Sequence, residues 1–122
     1  MQTILIVDDE VNIRFALSLA LSDDYKIIEA SNGIEGLEMF DKYSPDLIIT
    51  DCNMPILSGI DFVREIRSKN TSVKIIAHTS NVYFSKDNEM LIAGANLCFS
   101  KPTSLAKIEQ AIKFLLEDKE SL

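Results

Sequence analysis

Only two cysteines occur in the 122 residues, Cys52 and Cys98, and they form no CxxC pair. Such wide spacing in a chain of ordinary domain size implies no disulfide framework; it fits reduced thiols, and a cytoplasmic location is expected. Histidine occurs once. With no second ligand nearby in sequence, His78 reads as a packing residue rather than a metal ligand or catalyst. Basic residues are in deficit, 12 Lys and Arg against 19 Asp and Glu, so the net charge is −7 and the pI about 4.6. That balance argues against nonspecific association with nucleic acid or anionic membrane; partners should be basic or carry a metal. The apolar run at the N-terminus, Ile4 to Val7, is too short for a signal peptide or a membrane span, and no basic region precedes it. Repeats, linkers and low-complexity segments are missing as well. Residues 1–122 are expected to form a single domain that buries roughly two thirds of its unfolded surface. Its folded core should cover about residues 3–118, with a frayed charged tail at 119–122.

What the chain does contain is an alternation of strand and helix from end to end. Ile4 to Val7 is an apolar run of strand length stopped by Asp8, Asp9 and Glu10. Ile13, Ala16, Leu17, Ala20 and Leu21 then recur at helical spacing until Ser22-Asp23-Asp24. Tyr25 to Ala30 predicts a second strand, and Asn32 with Glu35 a capping box opening a helix that Ser44-Pro45 ends. Leu47 to Thr50 lacks any ionisable group and reads as a central strand buried on both faces, ending on Asp51. Beyond a loop marked by Asn53, Pro55, Ser58 and Gly59, the residues Ile60, Val63 and Ile66 mark a third helix, with Arg64, Glu65 and Arg67 on its wet side. Val73 to Ala77 is the fourth strand, and Tyr83 to Ala93 has helix length but a thin apolar stripe. Leu97 to Ser100 is the fifth strand, and Ser104 caps a helix striped by Leu105, Ile108, Ile112, Leu115 and Leu116.

Five strand-then-helix units predict an α/β fold: a doubly wound five-stranded parallel sheet, order 2-1-3-4-5, flavodoxin-like, with five helices. In that order ligands bind beyond the carboxyl ends of the first and third strands. Asp8 and Asp9, Asp51, Thr79 and Lys101 stand at four such ends. Taken alone, Asp8 and Asp9 read as helix caps, Asp51 as a loop acid, Thr79 as a turn residue and Lys101 as solvated. Together they predict one shallow cleft. Its carboxylates repel one another, so either some stay protonated or a cation is bound, and oxygen ligands suit Mg²⁺. The chemistry fits phosphoryl transfer, with Asp51 as nucleophile and Lys101, Thr79 and the metal neutralising the phosphoryl oxygens.

These residues resemble those of the receiver domain of two-component response regulators. The resemblance runs from Ile4 to about Leu116 and rests on Asp8-Asp9, Asp51 followed by Asn53-Met54-Pro55 and Gly59, Thr79, Gly94-Ala95, and Lys101-Pro102. It implies that Asp51 accepts a phosphoryl group from a phosphohistidine on a sensor histidine kinase or histidine phosphotransfer protein. It further implies that Asp9 and Asp51 bind Mg²⁺ (Mn²⁺ being an alternative) through their side chains, Asn53 through its backbone carbonyl, and Asp8 mainly through water. Thr79 and Lys101 would hold the phosphoryl oxygens, and the Lys101-Pro102 bond would be cis. By this resemblance the chain is a signalling switch rather than a turnover enzyme, acting on a downstream effector, and the face from the fourth to the fifth helix can serve dimerisation.

Two positions depart from the family pattern. Cys98 stands where a rotating aromatic is usual, and Phe99 points to the other sheet face. Thr103 stands where Phe is common. Output is therefore expected near Tyr83 and Phe84, the nearest large rings, rather than at Cys98 itself. The departure also supports an alternative, a receiver-like interaction module independent of phosphorylation. A flavin-binding reading fails because Asp8-Asp9-Glu10 replaces a phosphate cradle, and an aspartyl-nucleophile phosphatase would want an acid where Asn53 stands.

Overall fold

The computed structural model describes residues 1–80 and 84–117, with the side chains of residues 84–88 excepted. Its elements alternate: β1 (Thr3–Val7), α1 (Val11–Leu21), β2 (Lys26–Ala30), α2 (Gly33–Tyr43), β3 (Leu47–Thr50), α3 (Gly59–Lys69), β4 (Lys74–Thr79), α4 (Phe84–Ala93), β5 (Leu97–Ser100) and α5 (Leu105–Glu117). All strand pairs are parallel and the order is β2-β1-β3-β4-β5, as the alternation requires.

Strand alternation divides the core in two. Leu5, Val7, Ile48, Ile75 and Ala77 face one side of the sheet, where Phe40 of α2, Phe62, Val63 and Ile66 of α3 and Met90 of α4 cover them. Ile4, Ile6, Leu47, Ile49 and Ile76 face the other, under Leu17 and Leu21 of α1 and Ile108, Ile112 and Leu115 of α5. Fully buried Leu and Ile side chains each contribute roughly 1.5–3 kcal/mol, so the strands that carry the site are held by the best-packed part of the molecule.

Local signals act as their chemistry dictates. The Asn32 side chain accepts from the Glu35 amide at 2.9 Å, while the Glu35 carboxylate reaches back to the Ser31 amide and hydroxyl. Ser104 Oγ accepts from the Lys107 amide and caps α5. Three expectations need correction. β4 runs on to Thr79 instead of stopping at Ala77, because His78 and Thr79 pair with Phe99 and Ser100 and are buried. Phe62, outside the expected stripe, is fully buried, since α3 packs against α2 as well as the sheet; a Cβ on Gly36 of α2 would sit 2.9 Å from its ring. Arg67 is half-buried rather than on the wet side: its guanidinium donates to the Gly94 and Asn70 carbonyls and to Asn96 Oδ1, tying α3 to the turn before β5. Tyr83 lies outside the described residues, as do the side chain of Phe84 and the tail expected at 119–122.

Candidate phosphoacceptor site

Asp8, Asp51 and Lys101 each sit one step beyond a strand, and the backbone ladder carries them there. The Asp8 amide donates to the Ala30 carbonyl (3.1 Å), the Asp51 amide to the Val7 carbonyl (3.0 Å), and the Lys101 amide to the Thr79 carbonyl (2.6 Å). Three polar side chains are thereby placed by sheet geometry rather than by loop conformation. Thr79 closes β4 and is fully buried.

The carboxylates converge. One oxygen from each of Asp8, Asp9 and Asp51 lies within 4.8 Å of the others; Asp8 and Asp51 are buried and Asp9 is exposed. Lys101 Nζ donates to Asp8 Oδ2 (2.9 Å) and Glu10 Oε1 (3.0 Å) and approaches Asp51 Oδ2 at 3.5 Å. Three acids therefore meet one ammonium and Asp9 stands beside two of them, and an all-oxygen set with this excess of negative charge fits a hard divalent cation. The charges leave a trace in proton affinity. Burial pushes the Asp51 carboxyl up and Asp8 adds to this, while Lys101 and the Cys52 and Asn53 amides pull the other way; the net direction is upward. Burial alone would lower the Lys101 ammonium, but its bonds to Asp8 and Glu10 and the nearby Asp51 charge carry it to about 12.

The loop after β3 holds Asp51 in one orientation. Asp51 Oδ1 accepts from the Cys52 amide (2.6 Å) and the Asn53 amide (3.4 Å), which leaves Oδ2 on the Lys101 side. The chain returns at Gly59, whose amide donates to the Cys52 carbonyl; a Cβ there would lie 2.0 Å from the Asp51 carbonyl oxygen, so no other residue fits without moving the site. Ile56, in the same loop, has a φ of 74° and is 77% exposed, a strained conformation for a β-branched residue. The Lys101-Pro102 peptide is cis.

Asp8 does not cap α1, the role it would have if taken alone. Its Oδ1 accepts from the amide of Glu10, itself the residue before the helix, and Glu10 makes no side-chain cap. Two members of the site escaped the sequence reading. Glu10 adds a third carboxylate to Lys101. Arg14, one turn into α1, donates to the Asp8 carbonyl and to Glu29 Oε1, pinning the loop; its position one turn after an acidic cluster was the only available signal. Cys98 is half-buried and packs on the same sheet face as Met90, whereas Phe99 packs on the opposite face with Ile108.

The family profile of the response regulator receiver domain matches residues 4–113. The chain belongs to that family. It is 35% identical over 114 residues to the chemotaxis protein CheY of Halobacterium salinarum, covering 93% of this chain and 95% of the relative. Sporulation initiation phosphotransferase F of Bacillus subtilis is 29% identical, with 92% and 91% covered. The sensor protein EvgS of Escherichia coli K12 is 36% identical over 104 residues, 84% of this chain but only 9% of that protein. Among solved structures, the chemotaxis response regulator CheY4 of Vibrio cholerae superposes with a TM-score of 0.87 at 30% identity, covering 94% of this chain and 98% of that one. A receiver domain protein from Methanospirillum hungatei reaches a TM-score of 0.94 at 24% identity, which speaks for the fold alone. Among the described residues no helix is long and apolar enough to cross a membrane.

Proposed function

We propose that this receiver domain takes a phosphoryl group onto Asp51 from the phosphohistidine of a sensor kinase or phosphotransfer protein, and signals through the resulting change of surface. The observation that carries the reading is the placement of Asp51: a buried carboxylate at the end of a central strand, with one oxygen fixed by backbone amides and the other turned toward Lys101. In the transfer an Asp51 oxygen attacks phosphorus, the bond from phosphorus to the imidazole nitrogen breaks with its electron pair leaving on the ring, and a labile acyl phosphate remains.

Asp8, Asp9 and Asp51, with the Asn53 carbonyl, would hold Mg²⁺ or Mn²⁺, and the ion when bound supplies neutralisation of phosphoryl oxygens. Lys101 is already charged and adjacent to Asp51, so it offsets negative charge without reorganisation, and the Thr79 hydroxyl is assigned to the remaining phosphoryl oxygen. Val11, Phe15 and Leu19 form an exposed apolar row on α1, directly after the acidic loop, and we assign the donor protein to that row. The downstream partner, or a second copy, is assigned to the face from α4 to α5, where Ile92 and Phe114 are exposed.

Incubation with a small phosphodonor and Mg²⁺ followed by intact mass is the test. One added phosphoryl group is expected for wild type, for Asp46→Asn and for Asp61→Asn, and none for Asp51→Asn; full labelling of Asp51→Asn would defeat the reading. A phosphorylation-independent interaction module is the second reading, favoured by Cys98 where the family usually has a rotating aromatic. It expects no added mass in any of these proteins.

A further inference from the structure

The sheet face under α1 and α5 holds a polar group that phosphoryl transfer does not use. His78 is only 5% exposed, and neither ring nitrogen has a hydrogen-bond partner among the described residues. The side chain points to the same face as Ile76, two residues earlier in β4, and opens onto a cavity of about 230 Å³. Its walls are Ile13 and Leu17 from α1, Leu105 and Ile108 from α5, and Pro102 with Thr103 from the turn between β5 and α5.

The lining specifies an occupant. The walls from the two helices are aliphatic, and although Lys101 borders the cavity, its ammonium is engaged by Asp8, Glu10 and Asp51. No free charge is offered, so a charged ligand would lose its hydration without compensation. Burial, assisted by Lys101, pushes the His78 imidazole down to about 4, which leaves it neutral at pH 7 with one N–H donor and one acceptor nitrogen. A hydroxyl complements either nitrogen. An apolar cavity of about 150 Å³ is sufficient for benzene, so this one admits a somewhat larger body.

We propose that this cavity is a binding site for a neutral small molecule, a compact apolar body of about six to ten non-hydrogen atoms carrying one hydroxyl that pairs with the His78 imidazole. The site adjoins the phosphoacceptor cleft through Lys101 but uses none of its carboxylates, and its test does not depend on phosphorylation.

Phenol serves as the probe. Because the chain has a single histidine, long-range ¹⁵N spectra of the imidazole in the full 122-residue protein report this site alone. Titration with phenol should shift the ring nitrogens saturably, and toluene, the same ring without a hydroxyl, should bind about tenfold more weakly. His78→Leu should reverse that preference. Ala16→Leu on α1 and Thr103→Leu in the turn before α5 leave the imidazole in place and add bulk at two lining positions; either should abolish binding of both probes, with amide spectra verifying that each variant is folded. Absence of a saturable shift up to the solubility limit of phenol would overturn the proposal, as would an unchanged preference for phenol in His78→Leu or unchanged binding in both filled variants.

Discussion

Two buried groups give the molecule opposite responses to acid. Asp51 has a raised pKa, so the folded state takes up its proton before the unfolded chain does; its charge costs stability at neutral pH, and the cost fades as pH falls through the raised value toward 3.8. His78 is lowered from 6.5 to about 4, so between those values the unfolded chain binds the proton first. Its contribution is complete above pH 6.5 and is lost as pH falls to 4, in total about 3 kcal/mol. Urea melts of wild type from pH 7 to 4 should therefore lose stability more steeply than those of His78→Leu; parallel slopes would contradict the burial of a neutral imidazole. Asp51→Asn should raise the melting temperature of the metal-free protein by about 3–5 °C at pH 7, since one crowded carboxylate is removed. At this scale the sequence was legible where a residue followed an apolar strand: Asp8, Asp51 and Lys101 follow from strand length, whereas Thr79 lies two residues past the expected end of β4. Glu10 was not, because its contact with Lys101 spans 91 residues of chain and no local pattern encodes it. His78 was read as a packing residue and is buried, but its unpartnered nitrogens belong to a cavity that only the packing of α1 against α5 creates.

The elements were legible because their periodicities are unmixed: LIIT has no ionisable residue, and the stripe of α5 is regular. α3 was the least complete reading. A stripe of Ile60, Val63 and Ile66 describes a helix with one partner, whereas the buried arc also includes Phe62, which meets Gly36 of α2. Arg67 looked solvated because it follows Arg64 and Glu65, yet its guanidinium has three acceptors in the Asn70 turn and the turn before β5. The loop from β3 to α3 is where element geometry and chemistry meet. Gly59→Ala places a Cβ against the Asp51 carbonyl and the Cys52 Cα, so the end of β3 must shift. Overpacking of this kind costs about 1–3 kcal/mol, and because the displaced atoms belong to Asp51, the proposed phosphoacceptor, denaturant melts and phosphodonor labelling should decline together. Normal labelling in a destabilised Gly59→Ala would mean that the loop does not set the Asp51 geometry. On α1, Phe15→Ala should leave labelling by a small phosphodonor unchanged and slow transfer from a cognate phosphohistidine protein several-fold, because only the protein donor needs the exposed row.

For the whole molecule the governing quantity is charge. A chain of net charge −7 gathers three carboxylates at one end of its sheet, and folding forces them together while the unfolded chain lets them separate. A cation that binds only the folded state must then stabilise it, by about 2.7 kcal/mol at one hundred times its dissociation constant. Melts in chelator and in millimolar Mg²⁺ should show this gain in wild type and a smaller one in Asp9→Asn, with monovalent salt at equal ionic strength as the screening control. Equal gains from Mg²⁺ and from the salt control would remove the metal site from the account. The doubly wound order was legible from strand and helix alternation, and that order is what brings residues 8, 51 and 101 to one edge. The measurement closest to the central claim is direct localisation of the phosphoryl group. Hydride reduction of the labelled protein converts an aspartyl phosphate to homoserine, and peptide mass mapping then reads its position. The account predicts homoserine at position 51 and at no other aspartate; homoserine at position 8 or 9 with Asp51 unchanged would contradict it.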